Sequence, residues 1–271
     1  MKHNILLIGA TIVASVVAAS CSKPEASDPD QSLEFSCLRG HKVYILEDTA
    51  REFGRDADVA FRDSASVILP NVLMGYDVKP LRDSILKMSF DTVCAPEKAM
   101  EAYFAATVES FGYSAIPADS TDVENEIDGF CYVQGVIYNL TSERLTYRVS
   151  HYTYYPQQAH GLYSNTFITY DLTRGDILTL DDIFTPAGLE SLPIVISRRA
   201  LRLEAQIGPT NITSLPSADN FYISLDDEIV FVYQPYEVAS FAQGMIYVPF
   251  YPYDLAEFMT PRGLAFFDLD K

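Results

Sequence analysis

Apolar side chains recur along this chain at two spacings, one helical and one at every second residue, and the two dominate different stretches. Between Phe35 and Tyr113 both occur. Lys42 to Glu47 and Ser66 to Leu69 read as strands, the second ending at Pro70. Val78, Leu81, Ile85 and Leu86 give a helix over Asp77 to Lys87 one apolar side. Pro96 to Phe111 is the clearest helix. Proline suits a first turn, Glu97 favours the N-terminal dipole, and Met100, Phe104, Val108 and Phe111 recur at helical spacing before Gly112 ends the run. From Gly129 the period changes to two, and Phe130 to Asn139, Arg144 to Tyr155 and Leu162 to Leu172 read as three long strands. In the second, Leu145, Tyr147, Val149 and His151 share a face; in the third, Leu162, Ile168, Tyr170 and Leu172 do. After the turn Thr173-Arg174-Gly175-Asp176, Leu178 to Phe184 leads into a helix over Gly188 to Gln206, with Ile194, Ala200, Leu201 and Leu203 expected on its buried side. Phe221 to Leu225 and Ile229 to Tyr233 flank a hairpin-like turn at Asp226-Asp227-Glu228; Met245 to Pro249 is a last strand and Pro252 to Phe258 a short helix. The pattern predicts an α+β fold of antiparallel sheets with helices packed on one side. An acidic, turn-rich stretch, Ile116 to Asp128, separates two expected subdomains, 35–122 and 123–271.

The N-terminus adds an address. Lys2 and His3 precede an apolar run, Ile5 to Val17, and Ala18-Ala19-Ser20 places small side chains before Cys21, the layout of a bacterial lipoprotein signal over residues 1–20. The run is shorter than the roughly 20 apolar residues a bilayer span needs. Lipidation of Cys21 then predicts a protein held at the cell envelope, periplasmic or at the cell surface, by a flexible polar tether over 21–34. Of 271 residues 48% are hydrophobic, ample for a packed core, and the net charge is −18, or −19 once Lys2 leaves with the signal. Such a surface repels nucleic acid and anionic lipid and attracts cationic partners, so membrane contact is expected through the anchor alone. Cys37, Cys94 and Cys131 remain, enough for at most one internal disulfide, and are expected to be small buried hydrophobes. No cysteine–histidine spacing suggests a metal, and no Gly-x-Ser-x-Gly elbow or glycine-rich phosphate loop suggests a nucleophile or a cofactor.

Three ordered motifs carry a resemblance. They are Tyr154-Tyr155-Pro156-Gln157-Gln158-Ala159-His160-Gly161, then Tyr170 to Phe184 with its Gly175-Asp176 turn and Leu180-Asp181-Asp182-Ile183-Phe184 ending, then Phe231-Val232-Tyr233-Gln234-Pro235-Tyr236-Glu237. In this order they resemble the RsiV-like family, the extracellular domain of lysozyme-sensing anti-sigma factors, preceded here by a stretch like its usual partner domain. Gln157 and Gln158 stand where that family shows two glycines. The resemblance implies a ligand-binding exported domain. Anti-sigma activity itself is not expected, since it needs a cytoplasmic segment and a membrane span.

His160, between Ala159 and Gly161 at a strand end, is a candidate ligand contact or proton carrier, and equally a residue that fixes its turn through neighbouring backbone. His151 falls on the apolar strand face and reads as a core side chain. Asp181 and Asp182 read as a cap, Asp226 to Glu228 as a hairpin tip. Tyrosine is abundant, 18 residues with no tryptophan, and clusters near strand ends where it serves recognition or sheet–helix packing. The candidate binding residues are Tyr154, Tyr155, Gln157, Gln158, His160, Gly161, Tyr236 and Glu237. Together these features predict an exported lipoprotein with a non-catalytic binding domain, its partner a cationic protein such as lysozyme or a cell-wall or dietary glycan. The alternatives are a hydrolase of glycan or peptidoglycan, using His160 with Glu237 or Asp171, and a scaffold subunit of an envelope complex.

Overall fold

A computed structural model of the protein describes residues 12–14, 32–54, 56–110, 112–118, 127–156, 158–207 and 219–271. Cys21, most of the tether, Phe111, Gln157 and the Leu203 side chain lie outside the described residues. The chain divides into two units, one formed by Met1–Val136 with Val149–Tyr163 and the other by Ile137–Arg148 with Ser164–Lys271.

In the first unit the long ladder joins β2 (Leu33–Leu46) antiparallel to β3 (Val59–Leu73), both far longer than the short strands expected from their apolar runs. They read short because Arg39, His41, Arg62, Ser64 and Ser66 interrupt the apolar run at every second position, as a face turned to solvent does. The strand also continues through Pro70 rather than ending there. Proline lacks a ladder donor, and Pro70 falls opposite Phe35 where the register shifts at Glu34/Phe35, so the bulge absorbs the missing bond. The Arg82 guanidinium donates twice to the Pro70 carbonyl, at 2.6 and 3.2 Å, and once to Asn71 Oδ1, fastening α2 (Lys79–Phe90), which follows the single turn α1 (Thr49–Glu52), to that strand.

Two short strands pair with β2: β1 (Ile12–Ala14), from the N-terminal apolar run, against Leu33–Phe35, and β4 (Ala115–Ala118) against Val43–Leu46. On its other side β3 pairs parallel with β5 (Gly129–Leu140), Phe61 to Val67 against Gly129 to Gly135, and β5 neighbours β6 (Arg144–Tyr154). Helices α2 and α3 (Pro96–Ser110) cover one face of β2 and β3. Leu81, Ile85 and Leu86 of α2 and Met100 and Phe104 of α3 are buried with Leu38, Phe61, Ala65 and Val67. Gly40 allows this approach. A Cβ there would stand 2.7 Å from Met100 Cε and 3.3 Å from the Phe104 ring.

In the second unit β7 (Leu162–Asp171) pairs with β8 (Asp176–Leu178), and β9 (Phe221–Ile223), β10 (Ile229–Tyr233) and β11 (Ile246–Phe250) form a separate three-stranded antiparallel sheet in the order β11-β10-β9. Its core packs Phe231, Phe250, Val248 and Ile223 against Leu192, Ile196 and Ala200 of α5 (Pro186–Ile207). The buried stripe of α5 thus differs from the expected one: Ala200 belongs to it, but Ile194 and Leu201 are exposed. Leu192, Ile196 and Ala200, spaced by four, define one straight stripe, and Ile194 falls about 200° away from Leu192 around the helix. Leu162 is likewise exposed rather than sharing a buried face with Tyr170. The turn after β8 is held by a capping box: Thr179 Oγ1 accepts from the Asp182 backbone N–H while Asp182 Oδ2 accepts from the Thr179 N–H, opening α4 (Leu180–Ile183). From α6 (Pro261–Phe266), Arg262 bridges Asp182 at 2.5 Å and Asp176 at 2.6 Å, so both aspartates of this motif serve architecture.

One polar group under the first unit's helices is out of keeping with its surroundings. Asp63 of β3 points to the covered face, fully buried, with neither carboxylate oxygen in hydrogen-bond geometry. Burial pushes its carboxyl up to about 6, and the nearby Thr107 hydroxyl, Ser64 backbone and Lys42 ammonium offset this only in part. Burial likewise raises Tyr44, to about 12, and Tyr103 beside it, with the Asp63 charge adding to both. The folded state therefore holds a proton on Asp63 that the unfolded chain releases. Stability from this group is complete below about pH 4, falls as the pH climbs to about 6, and then stays low; a shift of about two units corresponds to about 3 kcal/mol. Asp63→Asn is expected to match the parent at pH 4 and to exceed it by up to that amount at pH 7.5, as read from urea unfolding midpoints at the two pH values.

Candidate functional site

The opposite face of the first unit's sheet is exposed at Arg39, His41 and Arg62 but buried at Val43, and the strand registers place its side chains in rows. Arg39, Ser66 and Gln134 lie side by side across β2, β3 and β5; His41, Ser64 and Tyr132 form the next row; Val43, Arg62 and Phe130 the third. Neighbours within a row are about 4.8 Å apart, and rows about 7 Å apart along the strands. β5 alternates strictly here: Gly129, Cys131, Val133 and Gly135 are buried, while Phe130, Tyr132 and Gln134 are exposed. Arg39, His41 and Arg62 are exposed too, and the two serines are partly so. Short serines between longer neighbours make β3 the floor of a shallow trough. The Ser64 hydroxyl lies 3.3 Å from the Cys131 carbonyl, and the Ser66 hydroxyl 3.7 Å from Cys37 Sγ. Arg39 Nε also leans on that sulfur at 3.2 Å.

Beside the trough stands an aromatic ladder. Tyr152 of β6 stacks against both Tyr132 (5.3 Å between ring centres, 6° between planes) and Phe130 (5.4 Å, 15°), and Phe130 in turn meets Tyr154 at 5.9 Å. Cross-strand stacks of this kind hold rings upright and rigid on a sheet. Since Tyr152 covers one face of Tyr132, the other face of Tyr132 looks toward Ser64 and the trough. Gly161 closes over the doubly stacked ring, and a Cβ there would come within 2.3 Å of the Tyr152 Cζ and hydroxyl oxygen. The adjacent residues Gln158, Ala159, His160 and Leu162 line a hollow of about 230 Å³, smaller than the ~300 Å³ at which small-molecule pockets begin. His160 is exposed, and its Nδ1 lies 3.1 Å from the Gly161 carbonyl.

The residues singled out in the sequence thus take different places. Tyr154, Gln158, His160 and Gly161 gather around the ladder and the hollow. Tyr155, next in sequence to Tyr154, points to the other face of the sheet, half-buried and stacked on Phe61 at 5.7 Å, and burial raises its hydroxyl. Tyr236 and Glu237 belong to the second unit. There the Glu237 carboxylate accepts from the Gln234 N–H at 2.7 Å, closing the turn in which Tyr236 takes a left-handed backbone (φ 69°) and rests on Phe241. Asp171 is buried and accepts from the Thr173 N–H, the Thr173 hydroxyl and the Arg174 N–H. His151 Nε2 lies 2.9 Å from the Met88 carbonyl. The expectation of three buried cysteines needs correction: Cys131 is buried, Cys37 is half-buried and Cys94 is exposed, in the loop between α2 and α3. Burial pushes the Cys131 thiol up to about 11, with Thr153 as its hydrogen-bond partner, which favours the thiol over the thiolate at neutral pH. Among the described residues no three His, Cys, Asp or Glu side chains converge as metal ligands, and no helix is long and apolar enough to cross a membrane.

Sequence reasoning had Tyr154 but missed Phe130, Tyr132, Arg39, Arg62 and the serine floor. The signal for the rings was present: Phe130-x-Tyr132 and Tyr152-x-Tyr154 are paired period-two aromatics on successive strands. The basic residues had no such signal, because β2 and β3 meet β5 only through pairing distant in sequence.

Residues 181–253 match the family described as DUF3298, protein of unknown function. That segment falls wholly within the second unit. Two solved structures share the fold. A DUF3298 family member from Bacteroides fragilis superposes with a TM-score of 0.64 at 19% identity, over 88% of this chain and 98% of its own. A DUF3298 family protein from Pseudomonas aeruginosa gives 0.56 at 15% identity, over 87% of this chain and 98% of its own. No curated protein matches the chain.

The packing of Gly161 on a doubly stacked ring makes a direct prediction. Tyr152 cannot swing aside without breaking two stacks, so Gly161→Ala is expected to destabilise the fold by about 1–3 kcal/mol, the usual scale of overpacking. Near-ultraviolet circular dichroism, which reports only tyrosine and phenylalanine packing in a protein without tryptophan, is expected to change with it.

Proposed function

We propose that this protein is an exported, lipid-anchored binding protein without catalytic activity, and that its ligand is a glycan held on the exposed part of the sheet face opposite the helices of the first unit. The observation that carries the reading is the aromatic ladder. Upright rings locked by mutual stacking pay little ordering entropy on binding, and an uncovered ring face beside hydroxyl and amide side chains suits the alternating CH and OH faces of a sugar ring. Carboxylates offered for a hydrolytic reading are engaged locally, Asp171 in its own turn and Glu237 in the Gln234 turn, which favours binding over turnover. The lipoprotein address rests on the Ala-Ala-Ser-Cys21 pattern.

A second reading has its own support. The resemblance to the RsiV-like family and a net charge of −18 favour a cationic protein such as lysozyme, attracted over a distance that salt shortens.

Two measurements separate these. In affinity electrophoresis against a panel of cell-wall and dietary polysaccharides, the protein is expected to be retarded by at least one, and Tyr132→Ala to abolish the retardation. No retardation by any polysaccharide, with lysozyme bound at low salt and unaffected by Tyr132→Ala, replaces the glycan with the cationic partner. For the anchor, Cys21→Ala is expected to move the protein from the membrane to the soluble fraction of the cells.

A further inference from the structure

The trough beside the ladder carries charge as well as rings, and its charge is opposite to that of the protein as a whole. Arg62 stands at one end, in register with Phe130, and Arg39 at the other, in register with Gln134. His41 lies between them on the β2 wall, across Ser64 from Tyr132. These are exposed side chains on a chain of net charge −18. Two guanidiniums about two rows apart, or about 14 Å along the strands, bracket a floor of two serines. Guanidinium is the side-chain group best matched to a carboxylate, which it holds through two parallel hydrogen bonds.

We infer that the trough binds an acidic polysaccharide, a polymer carrying uronic-acid carboxylates, with a sugar ring against the Tyr132 face and carboxylates at Arg39 and Arg62. This rests on the glycan reading above and names its class. An extended peptide fits the site less well. Over Phe61 to Val67 the backbone of β3 is paired on both sides, by β2 and by β5, so no ladder position is open for strand addition and a ligand must be read by side chains alone. Ser64, Ser66 and Gln134 offer hydroxyl and amide groups spaced along that floor, as a row of sugar hydroxyls requires. The acidic remainder of the protein repels such a polymer at long range, but that repulsion is screened beyond about 8 Å at physiological salt, whereas contact pairs are not.

The test uses one polymer in two charge states: de-esterified polygalacturonate and its highly methyl-esterified form, titrated calorimetrically into the full chain in detergent at 0.15 M salt. The acid form is expected to bind about tenfold more tightly than the ester, the scale of one charge-assisted hydrogen bond. Arg39→Gln with Arg62→Gln should bring the acid down to the affinity of the ester. Ser64→Tyr, which fills the floor without changing charge, should abolish binding of both. Equal affinity for acid and ester, or an unchanged preference in the double arginine variant, overturns the acidic class while leaving a neutral glycan in place. Poly-glutamate bound as tightly as polygalacturonate, and displaced by it, also overturns it, since charge alone would then account for capture. Absence of binding to either form, with no retardation by any neutral polysaccharide, removes the glycan reading itself.

Discussion

Burial of one face of the β2–β3–β5 ladder beneath α2 and α3 is the constraint on which the first unit depends. Because side chains alternate across a strand, fixing Phe61, Ala65, Val67, Cys131 and Val133 under the helices also fixes Arg62, Ser64, Ser66, Phe130 and Tyr132 on the opposite face. A slip of one residue in any of these strands would bring rings and guanidiniums into the core. The candidate surface is thus the complement of the core, set by the same register.

Asp63 marks a place where that arrangement is costly. It lies on the covered face between Phe61 and Ala65, where an apolar side chain would complete the layer, and its carboxyl is held neutral by burial rather than by partners. Tyr103 of α3, Tyr44 of β2 and Cys131 of β5 surround it, and each is also held toward its neutral form. The layer beneath α3 is therefore uncharged at mildly acidic pH and strained by one charge above it.

The second unit solves a different problem, the protection of strand edges. Along the N-terminal half of β7, side-chain amides take the place of a neighbouring strand. Asn220 Oδ1 accepts from the Phe167 N–H and its Nδ2 donates to the Asn165 carbonyl, while Gln234 accepts from the Asn165 N–H and donates to the same carbonyl at 2.7 Å. Four hydrogen bonds of this kind satisfy backbone that would otherwise invite another strand. The Gln234 to Glu237 turn, which carries the candidate residues Tyr236 and Glu237, is organised by this duty: Gln234 holds β7, and Glu237 holds Gln234. The Asp176 and Asp182 carboxylates are tied in a similar way to Arg262 near the end of the chain.

Much of this was legible in the sequence. The period-two run from Phe130, the helix from Pro96, the cap at Asp182 and the turn at Thr173 to Asp176 are written in local spacing, because hydrophobic alternation and capping act over a few residues. The strand through Pro70 was not, since a bulge can be seen only against its partner strand. Nor was the buried side of α5, where Ile194 and Leu201 are as apolar as the residues that face the core. The candidate surface divides along the same line. Tyr154 and His160 could be picked out singly. That Tyr132 stacks on Tyr152, or that Arg39 and Arg62 flank two serines beside it, depends on which strands lie side by side. Pairing between residues some seventy positions apart in sequence, such as Ser64 and Tyr132, is decided by tertiary packing and leaves no local trace.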